Sequence, residues 1–238
     1  MAISKDDQWI IDATKDKLKT FADVGGLWGV PPTVNEKITI AYRSGAFDCA
    51  MIDIVGSNNY LWYEFNKKCS SNEIECLNIS ANIDQFDFVN VVGVYDIVHC
   101  SGVIYHCPNP LHTISNLTKI TKDILIIGSV RIPNVISNSK GIISLDDGAA
   151  LFVPSINDTQ KSIIGEFMGS NNSFIGINKP KDNWNKADYS AFWYLFTDLF
   201  IEGLIKVNGF KIIDKYVYWG DKAVKFLCKR DVNVLGKS

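Results

Sequence analysis

Apolar and polar positions along the chain predict alternating strands and helices. Continuous apolar runs of strand length are typical of strands buried on both faces of a parallel sheet, and apolar residues three or four positions apart indicate helices packed against it. The predicted strands are 21–23, 48–56, 74–80, 95–100 and 123–130, and the predicted helices are 5–15, 34–45, 59–68 and 111–120. This alternation predicts an open α/β sheet with right-handed crossovers.

The segment 132–190 interrupts the alternation. It is rich in proline, glycine, serine and asparagine, and a connection of this length inside a compact domain is usually a lid or a substrate-binding insertion. Beyond it the pattern predicts a helix and then a hairpin with a Gly-Asp turn, at 189–208, 210–219 and 222–230. We therefore expect a single domain over 1–238, with the insertion at 132–190 inside it.

The glycine-rich turn after the first predicted strand carries the clearest chemical signal. The strand ends in Asp23, and Gly25, Gly26 and Gly29 follow it. Glycine tolerates positive φ and has no Cβ to keep a ligand away from the backbone. A helix after such a turn directs its free N–H groups at whatever the turn holds. The pattern D-x-G-x-x-x-G therefore predicts a ligand site, and it lacks the leading glycine of the dinucleotide-binding G-x-G-x-x-G.

A second acid, Asp53, lies inside the apolar run of the second long strand. A buried carboxylate without a partner is costly, so this position favours a ligand role. Asp53 follows Gly29 by about 24 residues, close to the separation at which doubly wound folds present an acid to ribose hydroxyls. In an alternative assignment, residues 53–59 would be a degenerate form of the glycine turn, and Asp53 would be the acid that ends the first strand. We disfavour it because the roughly 43 residues up to Asp96 hold one helix and one strand, where two of each are needed.

Composition and charge narrow the class of protein. The chain has 238 residues, of which 47% are hydrophobic and 21% charged, as in a globular protein, and no apolar run approaches the length of a membrane span. The first residues show no secretory leader, and the six cysteines contain no C-x-x-C pair, so we expect a cytoplasmic protein with reduced thiols. The net charge of −2 disfavours a nucleic-acid partner, and three histidines without ligand spacing predict no metal site.

The glycine turn, Asp53 and the segment YDIVHCSGVIYHCPNP at 95–110 together resemble class I S-adenosylmethionine-dependent methyltransferases. The resemblance extends from about residue 20 to residue 230. The segment 95–110 is most similar to the branch that includes wobble-uridine carboxymethyl transferases of tRNA and many glycan or natural-product methyltransferases. It implies a Rossmann-like, doubly wound, mostly parallel seven-stranded sheet with a C-terminal antiparallel hairpin and an insertion after strand five. S-adenosylmethionine is the implied cofactor.

The resemblance also implies roles for individual residues. Asp23 and the turn glycines would surround the amino-acid portion of the cofactor. Asp53 would hold the ribose hydroxyls, with Ile54 beside the adenine. The ends of the third and fourth strands would supply the rest of the cofactor site, with Ser80 and Asn82 at the adenine edge and Ser101 and Gly102 on the methionine side. Family members often have an aspartate directly after the third strand, which this chain lacks, so Asn82 or Asp84 would substitute.

Residues near the expected acceptor side each have two interpretations. His106 is a candidate general base, or a packed histidine that holds the proline-containing loop, and Tyr105 is similar. Arg131 is a candidate for binding an acidic acceptor. In the insertion, Trp184 and Tyr189 either close over the acceptor or form a small core. Inside the fourth strand, His99 is expected to be a core residue.

We therefore predict a cytoplasmic S-adenosylmethionine-dependent methyltransferase that acts on a small or carrier-linked acceptor, with a sugar or metabolite hydroxyl favoured. Three alternatives stay open. They are a tRNA-modifying enzyme that uses this cofactor or a carboxylated relative, a non-catalytic binding module of the same fold, and an NAD-dependent oxidoreductase, which the missing first glycine disfavours. The sequence indicates no membrane partner and is compatible with a homodimer.

Overall fold

A seven-stranded sheet runs through the centre of the molecule. The computed structural model describes residues 3–15, 18–28, 36–169, 184–185 and 189–231. The strands in chain order are β1 (Lys19–Val24), β2 (Ala46–Asp53), β3 (Leu77–Ser80), β4 (Tyr95–Ser101), β5 (Thr121–Val130), β6 (Val135–Asn138), β7 (Gly141–Ser144), β8 (Ala150–Phe152), β9 (Tyr194–Phe196), β10 (Phe210–Tyr218) and β11 (Ala223–Arg230). The central sheet has the order β10-β11-β5-β4-β1-β2-β3. Strands β1 to β5 pair in parallel, and β11 is antiparallel to both β5 and β10.

Helices cover both faces of this sheet. They are α1 (Lys5–Thr14), α2 (Ile38–Arg43), α3 (Tyr60–Ser71), α4 (Phe88–Val92), α5 (Pro110–Lys119), α6 (Asp158–Met168) and α7 (Asp198–Val207), with a 3₁₀ turn at Ile104–His106. Local sequence explains several helix starts. The Asn59 side chain accepts a hydrogen bond from the Leu61 N–H at the start of α3, and Asn109 caps α5 in the same way, before a proline. Among the described residues, no helix is both long enough and apolar enough to cross a membrane.

Alternate residues of the central strands enter two separate apolar cores. One core lies under α4, α5 and α7 and includes Val98 and Phe226. The other lies under α1, α2 and α3 and includes Phe21 and Met51. Strands buried on both faces account for the continuous apolar runs in the sequence. The predicted doubly wound, mostly parallel sheet with a C-terminal antiparallel hairpin is confirmed.

The segment between β5 and α7 forms a small layer of its own. Strands β6 and β7 make a hairpin, β8 pairs with β9, and α6 packs beside them around a third apolar cluster. Helix α6 begins with a capping box, in which the Asn157 side chain accepts from the Gln160 N–H and Gln160 accepts from the Asn157 N–H. The sequence contains this N-x-x-Q signal, which the weak periodicity around it obscured.

Two predicted helices differ from the structure. The helix predicted at 189–208 is wrong in its first part, because residues 194–196 form β9 and α7 begins only at Asp198. Pairing with β8 decides this conformation, and local periodicity carries no information about a partner strand. The helix predicted at 34–45 is represented by the shorter α2. Residues 29–35, which include Gly29, lie outside the described residues.

Candidate functional site

The strand order changes direction between β1 and β4. From β1 the chain proceeds to β2 and β3 on one side of the sheet and to β4 and β5 on the other. The carboxyl ends of strands at such a switch point form the crevice in which open α/β sheets bind ligands. Asp23, Asp53 and Ser101 lie at the ends of β1, β2 and β4, respectively, so the fold brings these sequence-predicted residues to one edge.

Asp23 is buried and connects three parts of the chain. Its Oδ1 lies 2.8 Å from Nδ1 of His99, which is its direct partner across β1 and β4. Its Oδ2 accepts a hydrogen bond from the Lys37 N–H at 2.7 Å. Because a carboxylate can only accept, Nδ1 of His99 carries the proton of this pair. Asp23 therefore ties the end of β1 to β4 and to the start of α2.

His99 has one nitrogen without a partner. The residue is 4% exposed, and its Nε2 is the one buried side-chain nitrogen or oxygen in the described part of the chain that lacks a hydrogen bond. Buried polar atoms are nearly always satisfied by protein, water or a ligand. His99 is buried, as its position in the strand suggests, but its contact with Asp23 arises from strand register, which no local sequence pattern reveals.

Two glycines of the turn are required by close contacts within the protein. Gly25 has a φ of +79°, and a Cβ at this position would lie 2.3 Å from Cγ2 of Val103. A Cβ at Gly26 would lie 2.3 Å from Oδ2 of Asp23. The turn therefore packs closely against both the acid that ends β1 and the segment that follows β4.

Asp53 lies under the same turn. Its Oδ1 accepts from the Val55 N–H at 3.0 Å, and its Oδ2 accepts from the Leu27 N–H at 3.2 Å. The Trp28 side chain also acts on this carboxylate and lowers its pKa. Burial raises the pKa of Asp53, and these interactions partly oppose that increase. The next residue, Ile54, is 42% exposed.

The loop after β3 contacts the insertion. Asn82 donates from its Nδ2 to the Tyr189 hydroxyl at 2.9 Å and accepts at Oδ1 from the Asp84 N–H at 2.9 Å. Burial raises the pKa of Asp84, and its hydrogen bond with Thr113 opposes the increase. The Ser80 hydroxyl donates to the Val55 carbonyl at 2.9 Å. Tyr189, predicted on the acceptor side, is thus placed against the predicted adenine edge.

Ser101 and Gly102 end β4 beside β5. The Gly102 N–H donates to the Gly128 carbonyl at 3.2 Å. A Cβ added at Gly128 would lie 2.3 Å from Oγ of Ser101, so the Ser101 side chain occupies the space that this glycine leaves. The Tyr105 hydroxyl lies 3.6 Å from the place that a Cβ on Gly102 would take. The two predicted methionine-side residues therefore adjoin Tyr105.

His106 contacts the insertion through its ring. Nδ1 lies 3.1 Å from the Ala191 carbonyl, and the Tyr105 carbonyl accepts from the Trp193 N–H at 2.8 Å. The His106 ring also packs edge-on against Phe192, with 5.0 Å between centroids. Since a carbonyl can only accept, Nδ1 is the protonated nitrogen and Nε2 is the basic one in the neutral ring. Burial lowers the pKa of His106, which favours this neutral form.

Arg131 and Trp184 make contacts within the protein. Arg131 donates from Nε to the Asp198 carboxylate and from Nη1 to the Asp221 carbonyl. This pairing compensates part of the charge, and the interpretation that Arg131 binds an acidic acceptor stays a prediction. The Trp184 ring packs against Trp193, with centroids 4.8 Å apart, as part of the third apolar cluster.

Comparisons with known proteins give matches in structure and none in sequence. No protein-family model matches the chain, and no curated protein sequence matches it. Magnesium protoporphyrin IX methyltransferase from Synechocystis PCC 6803 is similar at a TM-score of 0.59 and 15% identity, over 96% of this chain and 82% of that one. The 1,6-didemethyltoxoflavin-N1-methyltransferase from Burkholderia thailandensis is similar at 0.56 and 10%, over 95% and 77%. The N-terminal domain of EvdMO1 is similar at 0.55 and 12%, over 95% and 81%.

This chain has the class I methyltransferase fold. The fold accounts for the antiparallel β11 in an otherwise parallel sheet and for the crevice at β1 and β4. In the described residues, no group of three or more histidine, cysteine, aspartate or glutamate side chains could hold a metal ion. The structure shows two features that the sequence did not reveal, the Asp23–His99 pair and the cover of Leu27 and Trp28 over Asp53.

Proposed function

We propose that this protein is an S-adenosylmethionine-dependent methyltransferase that acts on a small molecule. The observation that carries the proposal is the convergence of Asp23, Asp53 and Ser101 at the switch point of a class I methyltransferase fold. One protein of similar fold, the Synechocystis enzyme, has been solved with bound S-adenosylhomocysteine and, separately, with bound S-adenosylmethionine. The bound cofactor would supply a methyl group on a sulfonium.

The residues present fit the nucleoside part of this cofactor. Asp53 offers two carboxylate oxygens at the end of β2, the geometry that ribose hydroxyls need, and the exposed Ile54 beside it offers an apolar surface for adenine. The Leu27 amide and the Trp28 indole now use this carboxylate. Because Asp53 is 2% exposed, this cover would have to move aside before ribose hydroxyls could reach the carboxylate. Asn82, held in place by Tyr189, would face the adenine edge.

The amino-acid part of the cofactor would lie over the glycine turn and the end of β4. The Nε2 of His99 is a buried polar atom without a hydrogen-bond partner beside the acid of this turn, and a bound ligand would satisfy it. Ser101 and Gly102 would border the methionine side. Gly29 stays assigned to the turn by its place in the sequence pattern.

His106 would accept the proton that the acceptor loses. In the transfer, a lone pair of the acceptor bonds to the methyl carbon and the carbon–sulfur electron pair stays on sulfur, so a hydroxyl acceptor must release a proton. The Nδ1–H of His106 is used by the Ala191 carbonyl, which leaves Nε2 as the basic nitrogen. Its lowered pKa keeps this nitrogen unprotonated at neutral pH. The same ring also anchors the insertion, so the two interpretations of His106 are compatible.

A cavity between the insertion and the C-terminal hairpin, bordered by Arg131, is compatible with a small acceptor. It has a volume of about 620 Å³, within the range of small-molecule sites, and its apolar wall includes Pro133, Val135, Phe167 and Val217. The insertion 132–190 would act as the lid of this cavity. A sugar or metabolite hydroxyl stays our preferred acceptor, free or linked to a carrier.

Calorimetric titration with S-adenosylmethionine and S-adenosylhomocysteine tests the proposal. The wild type should bind both, and Asp53→Asn should weaken the binding about tenfold or more, because a charge-assisted hydrogen-bond acceptor is removed. Asp48→Asn is the matched control, since Asp48 is an exposed acid on the same strand. If folded wild-type protein binds neither molecule, the proposal is wrong. Once binding is established, labelled-methyl transfer to a panel of hydroxyl-bearing metabolites tests turnover.

A further inference from the structure

The C-terminal hairpin brings a tyrosine to the end of β4. Tyr218 is the last residue of β10, at the opposite edge of the sheet from β3, and its ring lies beside the ammonium of Lys225, whose side chain adjoins that of Ser101 at Gly128. Strands β11 and β5 lie between them. Gly128 on β5 presents no side chain there, and Ser101 fills that space. The glycine thus leaves a path along which a long side chain from the hairpin reaches the site edge.

The Tyr218 ring is held by a buried ion pair. Lys225, on the paired strand β11, places its Nζ 5.5 Å from the ring centroid. The same ammonium is bound to the Asp6 carboxylate of α1, and Lys37 contacts that carboxylate at 3.1 Å. Tyr216 stands next to Tyr218 on the same face of β10 and donates its hydroxyl to Asp6 at 2.9 Å. These contacts fix the ring, although Tyr218 is still 36% exposed.

Tyr105 approaches the same place from the other direction. It follows β4 in the 3₁₀ turn, and its hydroxyl lies against Gly102. Burial raises the pKa of Tyr105, and the neighbouring Tyr218 phenol raises it further. Burial likewise raises the pKa of Tyr218. Both phenols therefore stay neutral at physiological pH, one on each side of Ser101 and Gly102.

We propose that Tyr218 and Tyr105 form the wall next to the reactive sulfonium and that Tyr218 is a further cofactor-contacting residue. The inference rests on the proposed function. Carbon atoms bonded to a positive sulfur carry polarised C–H groups, which phenol oxygens accept in weak hydrogen bonds, and an aromatic ring attracts a cation at its face. S-adenosylhomocysteine has no positive sulfur and no transferred methyl. The tyrosine pair should therefore favour S-adenosylmethionine over the product.

A purely structural role for Tyr218 makes a different prediction. If its hydroxyl only stabilises the hairpin, the loss of that hydroxyl should lower stability and should affect the two cofactor forms equally. The affinity ratio of S-adenosylmethionine to S-adenosylhomocysteine separates the two roles. Measuring this ratio requires neither a known acceptor nor turnover.

The experiment measures both dissociation constants for the wild type, Tyr218→Phe, Tyr105→Phe and Tyr63→Phe, an exposed tyrosine on α3 that serves as the control. We expect the preference for S-adenosylmethionine to fall about two- to fivefold in each of the first two variants and to stay unchanged in the control. An unchanged ratio, or equal weakening of both ligands, overturns the inference and leaves the proposed function intact. Failure of the wild type to bind either ligand overturns both. If Tyr218→Phe does not fold, Tyr105→Phe must lower the same ratio by itself, and an unchanged ratio in that variant overturns the inference.

Discussion

At the scale of single residues, the two acids of the crevice, Asp23 and Asp53, differ in their hydrogen-bond partners. Asp23 uses both oxygens on fixed partners, His99 and the Lys37 amide. Asp53 is covered by the glycine turn, which folds back so that the Leu27 amide and the Trp28 side chain interact with it. A ribose would compete with these two groups for the same carboxylate. The turn therefore opposes cofactor binding by the strength of its own hydrogen bonds.

Trp28→Phe should strengthen cofactor binding. The substitution removes the indole N–H that competes for Asp53 and keeps an aromatic ring, so we expect an S-adenosylmethionine affinity about two- to tenfold higher, as for the loss of one competing hydrogen bond. Calorimetry measures the change. Tyr63→Phe, an exposed aromatic residue of α3, is the control. Weaker binding by Trp28→Phe would show that the indole contributes to the bound state instead.

At the scale of elements, α1 is held to the sheet through a charged group. The sequence predicted this helix, and in the structure the Ser4 hydroxyl caps it by accepting from the Asp7 N–H at 3.2 Å. The structure adds the buried Asp6, which meets Lys225 of β11 and Lys37. Burial alone would raise the pKa of Asp6, but the two ammonium groups outweigh burial and hold its pKa below the ordinary value.

Asp6→Ala should destabilise the protein at neutral pH. It leaves the buried Lys225 ammonium without its carboxylate, and removing one partner of a buried pair costs about 3–5 kcal/mol. Because the folded pKa of Asp6 is depressed, its contribution is fully present above the unfolded value of about 3.9 and is lost as pH falls below it. The difference between wild type and variant in urea unfolding should therefore be full at neutral pH and should narrow progressively as pH falls below about 4 toward the depressed folded pKa. Asp12→Ala, which removes an exposed acid of the same helix, should change little at any pH.

At the scale of the whole molecule, the insertion is fastened to the sheet near both ends of the predicted cofactor site. Tyr189 meets Asn82 at the predicted adenine edge. The Ala191 carbonyl and the Trp193 amide meet the 3₁₀ turn that follows β4. A ligand that binds the loop after β3 should therefore also depend on Tyr189, because Asn82 contacts both.

A double-mutant cycle on Asn82 and Tyr189 tests this connection. Tyr189→Phe and Asn82→Ala should each weaken S-adenosylmethionine binding about two- to tenfold, as expected for one hydrogen bond. The double variant should bind no more weakly than the worse single variant, because both changes remove the same contact. Tyr194→Phe, in the same segment, is the control. Additive losses in the double variant would contradict the connection.

The fold was predictable because the central strands are continuous apolar runs in the sequence. β4 and β5 are found close to their predicted bounds. The start of the last helix was not predictable, because residues 194–196 become a strand only when β8 is present to pair with them. The place of Tyr189 was equally hidden, since its partner Asn82 is far away in sequence.

The sequence by itself determined the periodicity of the elements, the glycines of the turn and the presence of two acids at strand ends, because these depend on local backbone preferences and on burial. Only the tertiary structure decided which side chains meet. Strand register pairs Asp23 with His99, and the hairpin carries Tyr218 across the sheet toward Ser101. Such contacts join residues from separate strands, and no pattern of neighbouring positions encodes the register between two strands or the reach of a side chain across a glycine.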